Sequence, residues 1–550
     1  MLAKRVLPNP SLRFLCKLKV INRTISYYIT TPVFYVNSAP HIGHVHTLLL
    51  ADALHTFHRL KLNTTDTKFS TGTDEHGIKI QSAADSVKLK YADFCQRNSH
   101  EFVDLFSRFD TTLTDFIRTS EERHQRAVES IWNELNSRGY IYKSQYSGWY
   151  CVSDENFVPE SQITKEEING VTVHFDQQKN PLVWYSEENY MFRLHEFRDR
   201  ILHWLLNEKP IQPRKFNGLA SSMLSNPETS GDLSISRPSN RLKWGIQVPG
   251  DPAQKVYVWL DALTNYLTVV GYPCKRSELE RWPIDCQVFG KDILKFHAIY
   301  WPAFLLSLSL PLPKRLICHS HWLVDNTKMS KSKGNTVNPS DEMTFLTTEG
   351  LRYYLLRSAT PHCDTDYNRT QAMHAVNAEL ADTYGNLINR CSAKSINPQQ
   401  MIPTRLSDGT NPRILEILEH LSQVVVECDK HYNEANFYRG VDQIMKVLKL
   451  NNALYQEAAP WKLVKEINTN DQSYREYHDL QAVTFETIRI CSILLQPIVP
   501  KMANLVLDQL NVGKRSWRDS QIAIKRGDPH DCQRKLFTKD GCVLFRRLKL

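Results

Sequence analysis

The feature that most constrains the fold is a strand–loop–helix–strand pattern close to the N-terminus. Residues Thr24–Thr31 (TISYYITT) are rich in β-branched and aromatic side chains, which is typical of a strand. A turn-like stretch follows at Pro32–Pro40, and His41–Leu62 then repeats apolar residues at helical spacing. A second strand is predicted at Thr67–Thr73. Two strands joined through a helix pair in parallel, so we expect a parallel sheet with a ligand site at the carboxyl ends of its strands.

The rest of the chain changes character twice. Residues 141–240 contain polar patches, prolines and a serine-rich stretch, which indicate an inserted module with long loops. Strand chemistry returns at 255–262 and again at Gln287–Phe289. From about residue 385 the apolar spacing is helical throughout, which predicts a helical bundle. A chain of 550 residues has room for several such domains.

The net charge of +9 is concentrated in two terminal segments. Residues 1–25 hold six basic residues and no acidic one, and residues 513–550 carry a net charge of +7. The body between them is mildly acidic. A basic, acid-free leader is typical of a mitochondrial transit peptide, and we expect one at residues 1–24. The alternative is a disordered basic arm of a cytosolic protein.

Neither a membrane span nor a cysteine-based metal motif is evident. The longest uncharged run, Phe296–Pro313, contains three prolines and is predicted to be a buried core segment. The twelve cysteines include no CxxC pair, which favours scattered reduced thiols over a zinc finger or a redox centre.

Two short motifs suggest nucleotide chemistry. His41-Ile42-Gly43-His44 lies where a strand leads into a helix, and backbone N–H groups at a helix start favour anions. Lys328–Asn335 (KMSKSKGN) is a cationic, flexible loop that can close on a triphosphate. Taken singly, the first motif is equally compatible with an exposed helix start and the second with a solvated basic loop. No P-loop and no GxGxxG motif occurs.

Together the two motifs resemble the paired signature of class I aminoacyl-tRNA synthetases. The resemblance extends specifically to methionyl-tRNA synthetases, and to their mitochondrial members in length and leader. The matching segments run in order from about residue 25 to 465 and include ITTPVFYVNSAPHIGHVHT, TGTDEHGIKI, YSGWYCVSDENFV, ENYMFRL, WGIQVPGD, VYVWLDALTNYL, FGKDILKFHAIYWPA, KMSKSKGN, YGNLINR and APWKL.

The resemblance implies a Rossmann-type α/β catalytic domain, split by a connective insertion and followed by an α-helical anticodon-binding bundle. Its domains would be 25–140, 141–240 (insertion), 241–327, 328–384 (KMSKS loop and linking domain), 385–512 (anticodon-binding) and 513–550 (basic tail). The implied activity is ATP-dependent formation of methionyl-adenylate and transfer of methionine to the 3′-terminal ribose of mitochondrial tRNA(Met). The alternatives are another class I synthetase and an inactive tRNA-binding paralogue.

The resemblance also implies which residues act on ATP, accompanied by Mg²⁺. His41, His44, Lys328 and Lys331 match catalytic positions. The implied ATP-binding set is Asn37, His41, Gly43, His44, Gly290, Asp292, Lys328 and Lys331.

The implied methionine pocket draws on several segments. Asp74 matches the carboxylate that pairs with the methionine ammonium, although an Asp at a strand end can also be a helix cap. Trp259, Leu263 and Tyr266 have helical spacing and can equally be plain core. The full set is Val33, Tyr35, Asp74, Trp259, Ala262, Leu263, Tyr266, Ile293 and His297.

For tRNA, Asn386 and Arg390 match the family pair at the start of the anticodon domain, and Trp461 matches an aromatic that stacks on a base. Alternatively, Trp461 is a partly buried aromatic at a helix start. Many relatives carry CxxC zinc knuckles in the insertion, but Cys151 here is followed by Val-Ser-Asp, so no structural zinc and no other resident metal are expected. We expect a monomer in the mitochondrial matrix that binds L-methionine, ATP and tRNA(Met) and no membrane.

Overall fold

The structure is a computed structural model. It describes residues 27–151, 156–158, 160–168, 170–177, 179–226, 231–274, 279, 281–329, 334–527, 533–536 and 544–549. The expected leader at 1–24 and residues 330–333, which include Lys331, lie outside the described residues.

The strands of the described chain are, in order, β1 Tyr27–Tyr35, β2 Thr67–Asp74, β3 Asp115–Arg118, β4 Ile141–Cys151, β5 Asn156–Val158, β6 Thr164–Ile168, β7 Val171–Phe175, β8 Leu182–Phe192, β9 Ile211–Gln212, β10 Leu233–Ser234, β11 Ser236–Pro238, β12 Gln247–Val248, β13 Asp251–Val256, β14 Cys286–Gly290, β15 Leu316–His319, β16 Trp322–Val324, β17 Thr327–Lys328, β18 Thr365–Asp366, β19 Met401–Pro403, β20 Arg405–Leu406, β21 Lys525–Arg526 and β22 Gln533–Lys535.

The α-helices are α1 Ile42–Leu62, α2 Ile78–Ser86, α3 Tyr91–Ser107, α4 Glu122–Ser137, α5 Arg198–Asn207, α6 Arg214–Ser225, α7 Val258–Thr268, α8 Trp301–Ser307, α9 Pro339–Leu346, α10 Thr348–Ser358, α11 Arg369–Val376, α12 Asn386–Ser392, α13 Pro412–Asn433, α14 Phe437–Ala458, α15 Pro460–Leu463, α16 Asp471–Leu495 and α17 Pro500–Gln509. Two π-helical segments occur at Phe296–Tyr300 and Asn377–Gly385.

A six-stranded sheet forms the centre of the N-terminal half, in the order β3-β2-β1-β14-β15-β9. All five pairings in it are parallel, which confirms the predicted α/β class. Strand β1 lies between β2 and β14, so the loops after these strands meet at one edge of the sheet. Helix α1 packs on β1, β2 and β14 of this sheet, and its apolar residues Leu48, Leu49 and Leu54 are fully buried.

Strand β1 is longer than its sequence pattern indicates. The pattern predicts a turn from Pro32 onward, but the strand continues to Tyr35. The pairing with β2 shifts register between Thr30 and Val33. Since proline has no N–H, the hydrogen bonding between β1 and β2 is interrupted at Pro32. It resumes at Val33, after a β-bulge. Tyr35 is thereby placed at the end of the strand, next to the edge of the sheet where the loops meet.

The 141–240 segment contains two different structures. Strands β4 and β8 form a long antiparallel ladder, flanked by β5 and β10. Helices α5 and α6 bury Trp204 and Phe216 on their apolar faces. Between them, β9 pairs in parallel with β15 at the edge of the central sheet. The chain therefore leaves the central sheet for the antiparallel module and returns to it before residue 226.

The C-terminal half is mainly helical, which confirms the predicted bundle. Helices α13, α14 and α16 pack on one another, and α16 is buried on nearly all sides from His478 to Leu495. An all-round buried helix occupies the centre of such a bundle.

Part of the basic C-terminal tail folds back onto this half. Leu544, Phe545 and Leu548 pack against its core. The Asn377 side chain exchanges two hydrogen bonds with the backbone of Leu548, at 2.8 and 3.0 Å. Arg547 pairs with Asp382 at 2.8 Å. This part of the tail is thus used for packing on the linking region.

The apolar run at 296–313 is a core segment. Phe296, Ile299 and Trp301 are buried in it. Within the described part of the chain, no helix is both long enough and apolar enough to cross a membrane.

Candidate active site

A cavity of about 390 Å³ opens at the carboxyl ends of β1, β2, β14 and β15. It brings together most of the sequence-predicted site residues, which come from widely separated segments. Those that line it are Val33, Tyr35, His41, Gly43, His44, Asp74, Trp259, Ala262, Leu263, Tyr266, Gly290, Asp292, Ile293, His297 and Lys328.

The start of helix α1 forms one wall of the cavity. His41 is the N-cap, and its Nδ1 accepts a hydrogen bond from the Gly43 N–H at 3.1 Å. The Nδ1 of His44 accepts one from the His41 N–H at 3.1 Å, and the two rings stack with centroids 3.9 Å apart. Because both Nδ1 atoms are acceptors, each ring carries its hydrogen on Nε2. Two N–H donors and the positive end of a helix dipole therefore stand at this wall.

A second group of charges lies after β14 and β15. Asp292 is bridged by His321 at 3.3 Å and by Lys328 at 3.5 Å. Enclosure by the cavity walls raises the pKa of Asp292, but the neighbouring His321 and the charge of Lys328 outweigh this effect, so that its pKa lies well below the ordinary value. This carboxylate is ionised at neutral pH and holds Lys328 at the cavity.

The opposite part of the cavity is aromatic. Trp259 stacks on Phe296 with centroids 3.5 Å apart, and both side chains line the cavity. Burial lowers the pKa of His297 to about 4, so this ring is neutral. Its Nδ1 donates to the Ile293 carbonyl at 3.0 Å, and its Nε2 accepts from the Tyr266 hydroxyl at 2.6 Å. The result is a rigid, polarizable pocket of the kind a thioether prefers.

Asp74 is the last residue of β2 and lies beside Tyr35 in the register of the sheet. It is 7% exposed. The adjacent Glu75 points elsewhere, where Arg118 and Ser120 hold its carboxylate at 2.7 and 2.6 Å. Of the two consecutive acidic residues, Asp74 is therefore the one that faces the cavity.

A buried hydrogen-bonded cluster fixes the segment that carries Asp74 relative to helix α7. Asp261 of α7 accepts hydrogen bonds from His76 at 2.7 Å and from His124 at 2.8 Å. Burial would raise the pKa of Asp261, but the two histidines hold it below its ordinary value. Trp259 and Ala262 lie close to Asp261 on α7. The cluster therefore sets the distance between Asp74 and the aromatic part of the cavity at Trp259.

The remaining predicted residues are not at the cavity. Asn37 is half-buried in the turn between β1 and α1, outside the cavity lining. Lys331 lies outside the described residues. The predicted anticodon residues lie on the helical half, outside the cavity lining, where the Arg390 guanidinium lies 5.9 Å from the Trp461 ring and 5.2 Å from the Tyr455 ring. Asn386 lies one turn earlier on α12, and Trp461 is 36% exposed.

Several cavity residues were missed by sequence reasoning. They are Lys79, His319, His321 and Trp322, together with Phe296. His319 ends β15, so the general rule that polar residues at the carboxyl ends of parallel strands meet could have identified it. Lys79 lies in the loop-to-helix part of the matching segment TGTDEHGIKI, but its residue type alone does not distinguish it from a surface lysine.

Among the residues that the structure describes, no group of three or more His, Cys, Asp and Glu side chains is arranged to hold a metal ion. The Cys151 thiol donates to Asp176 at 3.4 Å, and Asp176 also accepts from the Asn180 backbone at 2.8 Å. Residues 152–155, which contain the rest of the zinc-knuckle position, lie outside the described residues.

Comparisons with known proteins match both halves of the chain. Residues 27–392 match the family model described as tRNA synthetases class I (M). Residues 406–539 match the model of the anticodon binding domain of methionyl tRNA ligase.

The chain is similar over nearly its full length to curated relatives. It is 44% identical to a probable mitochondrial methionine–tRNA ligase of Dictyostelium discoideum, covering 94% of this chain and 92% of the relative. It is 42% identical to mitochondrial methionine–tRNA ligase of Homo sapiens, covering 95% and 90%. The fold is similar to that of Mycobacterium tuberculosis methionyl-tRNA synthetase bound by methionyl-adenylate, with a TM-score of 0.86 at 33% identity, covering 95% of this chain and 100% of that one.

Proposed function

Since the chain belongs to the methionyl-tRNA synthetase family of class I synthetases, we propose that its cavity binds ATP and methionine side by side and that its helical half binds the anticodon. The enzyme activates methionine with ATP and then charges tRNA, and its relatives are the mitochondrial enzymes. One observation supports the assignment of roles: the start of α1 and the Trp259–His297 pocket open into the same cavity.

The triphosphate of ATP would lie at the start of α1. There the Nε2–H groups of His41 and His44 and the helix dipole face negative charge. The methionine carboxylate attacks the α-phosphorus, a new O–P bond forms, and the bond to the β-phosphate oxygen breaks. The charge that moves onto pyrophosphate is stabilised by these donors and by Lys328 and Lys331. Gly290 and Asp292 would hold the nucleoside, and Asn37 is assigned to the same site.

Methionine would lie in the aromatic part of the cavity. Asp74 pairs with its ammonium group, in a position 7% exposed, where a charge pair is strong. The thioether lies against Tyr266, His297 and Trp259, while Val33, Tyr35, Ala262, Leu263 and Ile293 complete the pocket. Its carboxylate then points back toward the phosphates.

The metal ion enters with its nucleotide. We assign Mg²⁺ to the substrate as MgATP, because the Asp292 carboxylate in the cavity is already engaged by His321 and Lys328. None of the residue roles in this proposal requires a resident metal. Expected further properties are a monomer in the mitochondrial matrix that charges mitochondrial tRNA(Met).

Methionine-dependent ATP–pyrophosphate exchange tests the proposed function. The purified chain should catalyse exchange with methionine, and leucine at the same concentration should support much less. Exchange that is faster with another amino acid would indicate another class I synthetase. Absence of exchange with any amino acid, despite tRNA binding, would indicate an inactive paralogue.

Replacing Gly43 by alanine should impair ATP use. A Cβ at this position would lie 2.8 Å from Cε1 of His41, so the ring must leave the place where it caps α1. We expect kcat/KM for ATP in the exchange reaction to fall about tenfold or more, as for loss of one well-placed donor. Gly218→Ala on α6 is the matched control, since nothing lies within 4 Å of its Cβ. Unchanged ATP kinetics in Gly43→Ala would contradict the role of His41.

Replacing Trp461 by alanine should separate the two half-reactions. Stacking of an anticodon base on Trp461 contributes about 1–3 kcal/mol, so kcat/KM for tRNA should fall roughly 5- to 150-fold. Methionine-dependent exchange should stay unchanged, because the residue is on the helical half. An equal loss in both assays would show that Trp461 acts through stability instead.

A further inference from the structure

We propose that Lys79 binds the backbone phosphate next to the terminal nucleotide of the tRNA and so positions the terminal ribose for methionyl transfer. This inference rests on the proposed function, and it assigns a protein contact to the second half of the reaction. No part of the proposed first half-reaction requires Lys79.

Lys79 lies on the flank of the cavity opposite the ATP phosphates. It is the second residue of α2, which follows β2, and it lines the cavity. His321 and Lys328 follow β15, and the sheet order places β2 and β14–β15 on opposite sides of β1. Among the described residues that line the cavity, Lys79 and Lys328 are the lysines, so each flank has one.

The start of α2 is held by the segment that follows the insertion, at Lys243 and Trp244. The Trp244 indole donates to the Glu75 carbonyl at 2.5 Å, and the Gly77 N–H donates to the Trp244 carbonyl at 3.3 Å. The Lys243 N–H donates to the Gln81 side chain at 2.9 Å. The Lys79 ammonium also lies 5.7 Å from the centre of the Tyr35 ring, which favours one orientation of this long side chain. Lys79 is therefore held at the cavity and is not a freely moving surface lysine.

Among the charged groups of the three substrates, we assign the backbone phosphate of the tRNA end to this cation. Asp74 takes the ammonium of methionine, and the start of α1 with Lys328 takes the triphosphate. Adenylation removes the charge of the methionine carboxylate, so the anion that arrives next is the phosphodiester of the tRNA end. A compact ammonium with three donors suits a phosphate oxygen. Since Lys79 stands beside Tyr35, a phosphate bound there places the terminal ribose close to the methionyl carbonyl.

In the transfer step a ribose hydroxyl oxygen attacks the carbonyl carbon and forms the ester bond. The anhydride bond from that carbon to the phosphate oxygen breaks, and AMP leaves with the electron pair. The hydroxyl proton passes to the phosphate of the leaving AMP. Lys79 touches no reacting atom in this step, and it acts by holding the tRNA end.

Single-turnover transfer from a preformed methionyl-adenylate complex to tRNA tests the proposal. We expect Lys79→Met to slow transfer about 10- to 100-fold, as for loss of one hydrogen bond to a charged group, while methionine-dependent exchange stays within about twofold of the wild type. Lys79→Arg keeps the charge and should recover most of the transfer rate. Lys90→Met, at an exposed lysine beyond the end of α2, should change neither rate.

Transfer by Lys79→Met at the wild-type rate would overturn the proposal. A rise of the methionine KM in exchange that equals the loss in transfer would also overturn it, because Lys79 would then serve the amino acid. If the wild-type chain itself failed to catalyse exchange, the proposed function would fail instead, so the two failures are distinguishable.

Discussion

Replacing Asp74 by asparagine should lower kcat/KM for methionine in ATP–pyrophosphate exchange by about 100-fold or more. Asparagine keeps the shape of the side chain but removes its charge. The methionine ammonium would then be taken out of water, in a position 7% exposed, without a counter-charge. Leaving a charge buried and unpaired is among the costliest single changes in a binding site.

Two further variants make this result specific. Asp104→Asn changes an exposed carboxylate on α3 and should leave exchange unaltered. Asp74→Glu keeps the charge with one more methylene and should retain more activity than Asp74→Asn. ATP binding in the absence of methionine should be the same in all three variants. A fall of less than about tenfold in Asp74→Asn would exclude a direct pairing with the substrate.

The parts of the site that follow strand ends can be predicted from the sequence. The strand–helix–strand pattern alone places His41 and Asp74 at one edge of a parallel sheet, because parallel strands have their carboxyl ends on the same side. The resemblance to a known family adds Trp259 and His297, although the helical spacing of Trp259 also fits plain core. All four line one cavity, because the segments that carry them meet at the same edge of the sheet.

Other features depend on contacts that no local pattern encodes. Pro32 favours a turn locally, yet neighbouring strands keep β1 extended through a bulge to Tyr35. His321 belongs to the site only because β15 lies beside β14. The strand β9 is two residues long, and its pairing with β15 comes from tertiary packing of α5 and α6 rather than from strand propensity.

The strongest example of such a contact is a buried ion pair that joins the two halves of the chain. Arg352 on α10 donates to Asp52 on α1 at 2.5 Å, and the two side chains are 0% and 2% exposed. Arg352 also donates to the carbonyls of Pro497 and Ile498, both at 2.8 Å, between α16 and α17. Thr112 donates twice to Asp52, at 2.6 and 2.7 Å. One guanidinium therefore connects the helix that begins after His41 with the C-terminal bundle.

Replacing Arg352 by leucine should lower the free energy of unfolding by about 3–5 kcal/mol, because Asp52 would remain charged in a buried place. Denaturant unfolding of the full chain measures this change. Adding Asp52→Asn to Arg352→Leu removes the buried charge while Thr112 can still donate to the side chain. The double variant should therefore lose at least about 1 kcal/mol less than the sum of the single losses.

An exposed ion pair on α4 serves as the control for the Arg352 variant. Arg126 and Glu122 pair on the surface of α4, with side chains 59% and 82% exposed, and Arg126→Leu should change stability little. If Arg352→Leu were equally mild, water would have to reach Asp52, and the two halves would not be joined through this charge. If the large loss occurs and the double variant shows no coupling, the destabilisation would come from the freed carbonyls of Pro497 and Ile498. Coupling together with a large loss would show that the pairing of Asp52 with Arg352 itself stabilises the packing of α1 on the bundle.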